Sequence, residues 1–192
     1  MADIILLPIQ GVTSEGHSVR LTSAEPGYLT QLTGWDNFDI IASEALSQKG
    51  LSVPPDCRSS TRFDATIVWR IAPDRILIWS NAPLGFNEMS NLAILDLSDA
   101  RYFLKLSGPG AVGLLSRVST LNFSRAEFLV GNFAQTVIHE VGVLIDRQGA
   151  EEFTLLIPTT YATSIRKWLV CQLRDVTQTN NDLVHDPYTT SE

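Results

Sequence analysis

The sequence predicts an α+β fold, in which duplicated β-α-β-β units form a mostly antiparallel sheet with helices packed on it. One observation is a hairpin of β-branched and aromatic residues, 65–71 and 75–80, joined through a short turn. Another is that residues 19–32 and 103–115 share a strand pattern, a serine, a proline–glycine pair and a helix-like apolar spacing. Each of these two passages is followed by a further pair of predicted strands. Together these patterns indicate duplication of one unit.

Residues 1–92 are predicted to form an N-terminal lobe of a strand, helices and the hairpin. Residues 18–22 alternate weakly between apolar and polar side chains and predict the strand. Residues 23–34 predict a short helix, because a capping serine is followed by an acid and a proline in the first turn. Residues 36–49 predict a longer helix, with Asp36 as its cap.

Residues 93–176 are predicted to form a C-terminal lobe with the order β-α-β-β-β-α. Alternation from Arg101 to Ser107 predicts the first strand, and apolar residues spaced as on one helix face follow from Ala111 to Val118. Three strands and a helix complete this lobe, at 134–140, 142–147, 152–157 and from 158 onward. Residues 177–192 are polar and predict a disordered or loosely docked tail.

A glycine motif at the centre of the chain matches a dinucleotide-binding fingerprint. Gly108, Gly110 and Gly113 have the G-x-G-x-x-G spacing between a predicted strand and a predicted helix. However, Pro109 removes a backbone donor that would face a pyrophosphate, and the preceding strand carries Arg101 and Lys105. We interpret the match as accidental and expect the glycines to permit close packing of the helix on the sheet.

Composition limits the classes of partner. The chain has 192 residues, 44% of them hydrophobic, and a formal net charge of −7, which argues against nucleic acid and anionic membranes as partners. No apolar run is long enough to span a bilayer, and the first residues lack the basic start of a signal peptide. A soluble, cytoplasmic protein is therefore expected.

The residues that could carry chemistry do not form a recognisable motif. Cys57 and Cys171 have no metal-ligand spacing and are expected to be reduced thiols. His139 lies in a predicted strand and is expected to be a partly buried structural residue. Asp96 and Asp99 flank Ser98, a cluster typical of a turn. The sequence thus predicts no catalytic, cofactor-binding or metal-binding residue.

A series of short motifs resembles the γ subunit of bacterial heterotetrameric sarcosine oxidase. In that family's order, the motifs are Ile71–Trp79, Asp96–Ser98, Leu106–Ala111, Phe128–Gly131 and Gln135–Thr136. The wider superfamily includes the aminomethyltransferase, or T-protein, of glycine cleavage, so the resemblance implies a fold like its folate-binding domain. The first fifty residues match the family only loosely.

The resemblance implies an accessory subunit of a flavin-dependent oxidase acting on sarcosine or another N-methyl amino acid. In such complexes the β subunit carries the flavins (FAD and FMN), the α subunit carries the NAD and tetrahydrofolate sites, and the γ subunit holds no cofactor. The expected partners are therefore α and β subunits, with assembly beside the folate-binding α subunit as the role. An isolated subunit with an uncovered partner face is also expected to be able to self-associate.

One departure from the superfamily pattern bears on chemistry. The aminomethyltransferases have a folate-contacting aspartate after the first helix, and Asn122-Phe123 is the matching dipeptide here. An amide cannot act as a carboxylate base. This favours a non-catalytic subunit over the alternative, a stand-alone tetrahydrofolate-binding protein. The predicted subunit contacts are Trp69 and Trp79 on the hairpin and Arg58 in the loop 53–61.

Overall fold

The computed structural model describes residues 8–24 and 27–178. This part of the chain contains twelve strands, three α-helices and a short 3-10 turn, Thr159–Tyr161. The strands are β1 Ile9–Val12, β2 Ser18–Ser23, β3 Tyr28–Gly34, β4 Ser60–Phe63, β5 Thr66–Ala72, β6 Arg75–Ser80, β7 Leu92–Asp96, β8 Arg101–Ser107, β9 Phe133–Ile138, β10 Val141–Gly149, β11 Glu152–Pro158 and β12 Arg174–Gln178. The helices are α1 Phe38–Ser47, α2 Ala111–Val118 and α3 Ala162–Cys171.

The strands form two antiparallel sheets. The larger has seven strands in the order β12-β1-β2-β8-β11-β10-β9, and the smaller has five in the order β4-β5-β6-β3-β7. Every strand pair in both sheets is antiparallel. The predicted α+β class with mostly antiparallel strands is confirmed.

An internal duplication is present, with a longer unit than predicted. In each copy a strand leads into a helix and then into three strands, and the last of these pairs with the first. The copies are β3-α1-β4-β5-β6 and β8-α2-β9-β10-β11, so the unit is β-α-β-β-β. The strand that corresponds to β8 is β3, not the predicted strand at 18–22.

The helix predicted over residues 23–34 is wrong, because residues 28–34 form β3. This strand lies between β6 and β7 and is covered on both faces. Leu29 faces the other sheet, whereas Leu32, three residues on, faces α1. Apolar side chains on both faces of a central strand mimic helical spacing, so periodicity alone could not separate the two structures.

Both sheets draw strands from both halves of the chain. β1 and β2 join the seven-stranded sheet through the pairing of β2 with β8, and β7 pairs with β3 in the five-stranded sheet. The sheets therefore do not follow the predicted lobe boundary between residues 92 and 93. β12, which the sequence did not predict, pairs with β1 and includes the first two residues of the predicted tail. The rest of that tail lies outside the described residues.

The elements stack as four layers, helix on sheet on sheet on helix. α1 covers the outer face of the five-stranded sheet, where Phe38, Ala42 and Leu46 are buried. α2 and α3 cover the outer face of the seven-stranded sheet. The two inner faces pack on each other through Leu29, Trp69, Leu77, Phe133, Leu144 and Leu156. The layer between the sheets is thus open to solvent only at its edges.

The sequence predicted Asp36 as the cap of α1, and this prediction is wrong. The capping position is Asn37, with a left-handed backbone (φ 56°) and no side-chain hydrogen bond to the helix. Asparagine tolerates this conformation better than most residues, which explains its place there.

A buried arginine holds the loop after α2 against the seven-stranded sheet. Arg147 is 1% exposed and donates hydrogen bonds to the carbonyl oxygens of Phe123, Phe128, Gly149 and Ala150. Its guanidinium also lies 5.1 Å from the centre of the Phe153 ring. The charge is therefore compensated by carbonyl dipoles and an aromatic face rather than by an acid.

Candidate functional site: a pocket between the two sheets

A pocket of about 240 Å³ opens at one edge of the layer between the sheets; we call it the inter-sheet pocket. One wall is the inner face of the seven-stranded sheet. There Thr154 on β11 pairs in register with Lys105 on β8 and with Asp146 on β10. Polar side chains thus form a row across three strands, at inward positions where the rest of the layer is apolar. Lys105 and Thr154 line the pocket directly.

The opposite wall is formed by two indole rings of the five-stranded sheet. Trp69 on β5 is fully buried, and Trp79 on β6 is half-buried. Ile67 pairs with Trp79, and Phe103 on the other sheet lies 6.3 Å from the Trp79 ring. The pocket therefore has an aromatic wall facing a polar one.

Asp146, at the β10 end of the polar row, forms an ion pair with Arg62. One guanidinium nitrogen of Arg62 lies 2.8 Å and 2.7 Å from the two carboxylate oxygens of Asp146. The Asp146 side chain is fully buried, whereas that of Arg62 is about one-third exposed. Burial raises the pKa of Asp146, and the adjacent Arg62 charge opposes this effect. Asp146 is therefore committed to Arg62 and is poorly placed to act as a free base.

Several polar atoms around the pocket are buried and find no hydrogen-bond partner among the residues that the structure describes. They include Thr154 Oγ1 and the Nε1 atoms of Trp69 and Trp79. The Trp69 indole lies close to the Asp146 carboxylate, but not at an angle and distance that make a full hydrogen bond. Thr154 is only 4% exposed. Buried polar atoms are normally paired, so this concentration at one pocket is unusual.

Sequence patterns did not predict Lys105, Asp146 or Thr154 as site residues. The available signal was Asp146, a single charge within the apolar run that forms β10. Recognising it required the pairing of β10, β11 and β8, which brings the three side chains into one row. That register depends on contacts between distant parts of the chain.

The three predicted subunit-contact residues lie in different environments. Trp69 has no exposed surface, since it is part of the core between the sheets. Trp79 keeps some exposed surface at the inter-sheet pocket, and Arg58 is exposed in the loop before β4. Of the three predicted contact residues, only Arg58 and Trp79 are accessible enough to contact another subunit.

The glycine motif packs the start of α2 against the β1–β2 hairpin, as expected. A Cβ atom on Gly108 would come within 2.7 Å of the Ser18 carbonyl, and one on Gly110 within 2.6 Å of Val19. The backbone N–H of Gly108 donates to Glu151, and that of Gly110 donates to Ser18. The backbone donors of both glycines and the space beside them are thus used by contacts within the chain.

The Asp96–Ser98 motif makes a turn, as predicted. The Asp96 carboxylate accepts hydrogen bonds from the Ser98 hydroxyl at 2.6 Å and from its backbone N–H at 2.9 Å, which lowers the pKa of Asp96. The Ser98 hydroxyl oxygen in turn accepts the N–H of Leu29. The motif thus fixes the connection from β7 to β8 against β3.

The expectation of a partly buried His139 within a strand is wrong. His139 is exposed and, with Glu140, forms the two-residue turn between β9 and β10. Both residues have positive φ, 46° and 66°. The imidazole ring stacks on Trp168 of α3, with ring centres 4.2 Å apart. Trp168 is 37% exposed at this surface position.

Asn122 and Phe123, which the resemblance of the sequence motifs matches to the folate-contacting position of the aminomethyltransferases, face in opposite directions. Asn122 is exposed, and its side-chain oxygen accepts the backbone N–H of Ser124 at 3.0 Å. Phe123 is fully buried against Phe128 and Phe153. Neither side chain lines the inter-sheet pocket.

Other chemical features are few in the described part of the chain. Cys57 and Cys171 are both exposed free thiols. Over residues 8–24 and 27–178, no three His, Cys, Asp or Glu side chains come together as a metal site. None of the helices in these ranges is long and apolar enough to cross a membrane.

Comparison with known proteins finds similar solved structures but no similar sequence. No protein-family model matches it, and no curated protein matches it by sequence. A chain of heterotetrameric sarcosine oxidase from Corynebacterium sp. U-96, solved in complex with pyrrole 2-carboxylate, is similar with a TM-score of 0.73 and 22% identity. The match covers 84% of this chain and 86% of that one.

A second similar structure is glycine cleavage system aminomethyltransferase T from Bartonella henselae, with a TM-score of 0.55 and 18% identity. It covers 78% of this chain but only 45% of the aminomethyltransferase. The chain has the aminomethyltransferase-like fold. The resemblance found in the sequence motifs is thereby confirmed at the level of the fold, and the chain corresponds to less than half of the transferase.

Proposed function

We propose that the chain is a non-catalytic γ-type subunit of a flavin-dependent, multi-subunit oxidase of sarcosine or a related N-methyl amino acid. The observation that carries the proposal is the reciprocal match to one chain of the heterotetrameric oxidase, at 84% and 86% coverage. The role of the chain would be assembly with the α and β subunits.

The side chains present do not fit tetrahydrofolate bound as in an aminomethyltransferase. The sequence resemblance matches Asn122 to the folate-contacting acid, and its side chain is exposed and hydrogen-bonded within a turn. The inter-sheet pocket, at about 240 Å³, is smaller than the roughly 300–1,000 Å³ of clefts that enclose drug-sized ligands. Asp146, a carboxylate next to this pocket, is paired with Arg62. These features support a subunit without folate chemistry of its own.

Exposed apolar side chains beside Arg58 support a contact face. Leu129 and Val130 are 55% and 59% exposed, and Phe63 on β4 is 56% exposed. The backbone N–H of Ser60 donates to Gly131, which places the 129–131 segment next to the start of β4. β4 is also an edge strand of the five-stranded sheet. Large apolar side chains beside an arginine are typical of subunit interfaces.

A matched pair of substitutions tests this face. Leu129→Asp introduces a charge beside Arg58, whereas Val137→Asp introduces one on β9 at a position of nearly equal exposure, 54%. We expect the tagged Leu129→Asp chain to lose the flavin-containing partners that co-purify with the wild-type and Val137→Asp chains. All three should show the same circular dichroism spectrum. Equal recovery of flavin with both variants would remove the assignment of this face.

A second candidate function is that of a stand-alone tetrahydrofolate-binding protein, and the similarity of the fold to the aminomethyltransferase supports it. Titration calorimetry of the purified chain with tetrahydrofolate separates the two. The accessory-subunit proposal expects no heat of binding to the isolated chain. Saturable binding with a micromolar dissociation constant would favour the second candidate.

A further inference from the structure

A second pocket, of about 330 Å³, opens between the sheets at the edge where β9 lies, and we call it the β9 pocket. Its buried lining includes Leu77, Leu144 and Leu156 of the core between the sheets. Val137 on β9 also lines it and is 54% exposed, although it shares the inward face of its strand with Gln135, the register partner of Leu144. The pocket therefore exposes to solvent an apolar position that faces the core layer.

Gly142 on β10 lines this pocket at a position where regular strand structure does not require a glycine. β9 and β10 pair in unbroken register from Phe133 to Ile138, with Gly142 opposite Val137. Gly142 is not among the described glycines with positive φ, and a Cβ atom added to it would meet no described atom within 4 Å. Glycine weakens a strand, and it usually marks a bulge, a sharp bend, or the close approach of a backbone or a ligand. Regular pairing and open space leave a bound ligand as the explanation.

One positive charge faces the pocket without a counter-charge. Among the described residues that line it, Arg101 is the only ionisable one. The Arg101 side chain is half-buried and forms no ion pair with an acid within residues 8–24 and 27–178. Asp99, the nearest acid along the chain, is exposed in the preceding turn and does not line the pocket. A guanidinium partly removed from water is best satisfied by a carboxylate, which it can bind through two parallel hydrogen bonds.

The accessible apolar side chains narrow the ligand further. Ile71 and Leu97, both half-buried, line the pocket with the exposed Val137, and the described lining residues include no aromatic ring on which a planar ligand could stack. The volume is at the lower end of the roughly 300–1,000 Å³ of ligand clefts. We propose that the β9 pocket binds a medium-length aliphatic carboxylate, with its chain against Ile71, Leu97 and Val137 and its carboxylate on Arg101. This inference does not depend on the proposed assembly role.

Octanoate is the probe that tests the proposal on the full chain. Octanamide has nearly the same shape without the charge, and acetate has the same charge without the aliphatic chain. Binding would be followed by titration calorimetry and by the NMR amide signals of Val137 and Gly142, which line the pocket. We expect octanoate to bind at least about tenfold more tightly than either analogue, because each analogue loses one of the two recognition elements.

Variants locate the binding. Arg101→Met keeps the apolar stem and removes the charge, so octanoate affinity should fall by about tenfold or more. Arg20→Met is the matched control, on β2 of the same sheet but outside the pocket, and should leave affinity unchanged. Gly142→Ile fills the open space with a side chain that strands favour, so the chain should stay folded and lose octanoate binding. The proposal is overturned by no binding of octanoate up to about 10 mM, or by an Arg101→Met or Gly142→Ile chain that binds it as tightly as Arg20→Met.

Discussion

Replacing Thr154 by valine is expected to make the protein more stable. The Thr154 side chain is 4% exposed, and its hydroxyl has no hydrogen-bond partner within residues 8–24 and 27–178. Burying an unpaired hydroxyl costs roughly 1–3 kcal/mol, and valine has nearly the same shape and the same preference for strands. We therefore expect the free energy of unfolding to rise by about 1–2 kcal/mol. For a chain of this length that corresponds to an increase in Tm of roughly 2–8 °C.

The same substitution at Thr33 is the control. Thr33 is half-buried on β3, and its hydroxyl donates to the carbonyl oxygen of Asp74 at 3.1 Å. Thr33→Val should lower the free energy of unfolding by about 0.5–1.5 kcal/mol, since a satisfied hydrogen bond is lost. Urea unfolding of the two variants gives both numbers. If Thr154→Val is destabilised as much as Thr33→Val, the Thr154 hydroxyl has a partner and the reasoning about the pocket is wrong.

Three further predictions concern buried charge and turn geometry. Arg147→Met should lower the free energy of unfolding by about 3–5 kcal/mol in urea, because four carbonyl acceptors lose their donor; a loss under about 1 kcal/mol would contradict this. Burial raises the pKa of Asp146 in the folded protein despite the adjacent Arg62 charge. The carboxyl group therefore contributes stability at pH values below its ordinary pKa, and this contribution is lost as the pH rises through its pKa in the folded state. Unfolding of the wild type should therefore become easier relative to Asp146→Asn as pH rises above about 4, and parallel pH profiles would refute this. Glu140→Gly should raise the free energy of unfolding by about 0.4–1 kcal/mol, and the Tm with it, because the turn holds this residue at a φ of 66°. An unchanged or lower Tm would contradict this expectation.

Local patterns predicted the second half of the fold well. Alternation in residues 101–107 gave β8 with its observed bounds, and the apolar stripe at 111–118 gave α2. In these elements one face is buried and the other is not, so periodicity reports structure directly. The hairpin of β5 and β6 was found for the same reason, helped by its short turn.

The errors arose where long-range contacts decide the structure. β3 is buried on both faces because α1 covers one face of its sheet and the seven-stranded sheet covers the other, and its sequence alone resembles a helix start. The turn at His139 and Glu140 has positive φ without the glycine or asparagine that usually marks such turns. Likewise, the polar row of the inter-sheet pocket exists only when β8, β10 and β11 are in register. Sequence patterns contain no direct record of that register.

The central claim is that this chain acts as an assembly subunit of an oxidase rather than alone. The most direct measurement is purification of the tagged chain from its native source, with flavin absorbance and sarcosine-dependent peroxide formation followed across a sizing column. We expect the chain, the flavin and the peroxide-forming activity to elute together at a mass well above that of one chain. Elution of the chain at the mass of a monomer, in fractions separate from flavin and activity, would contradict it.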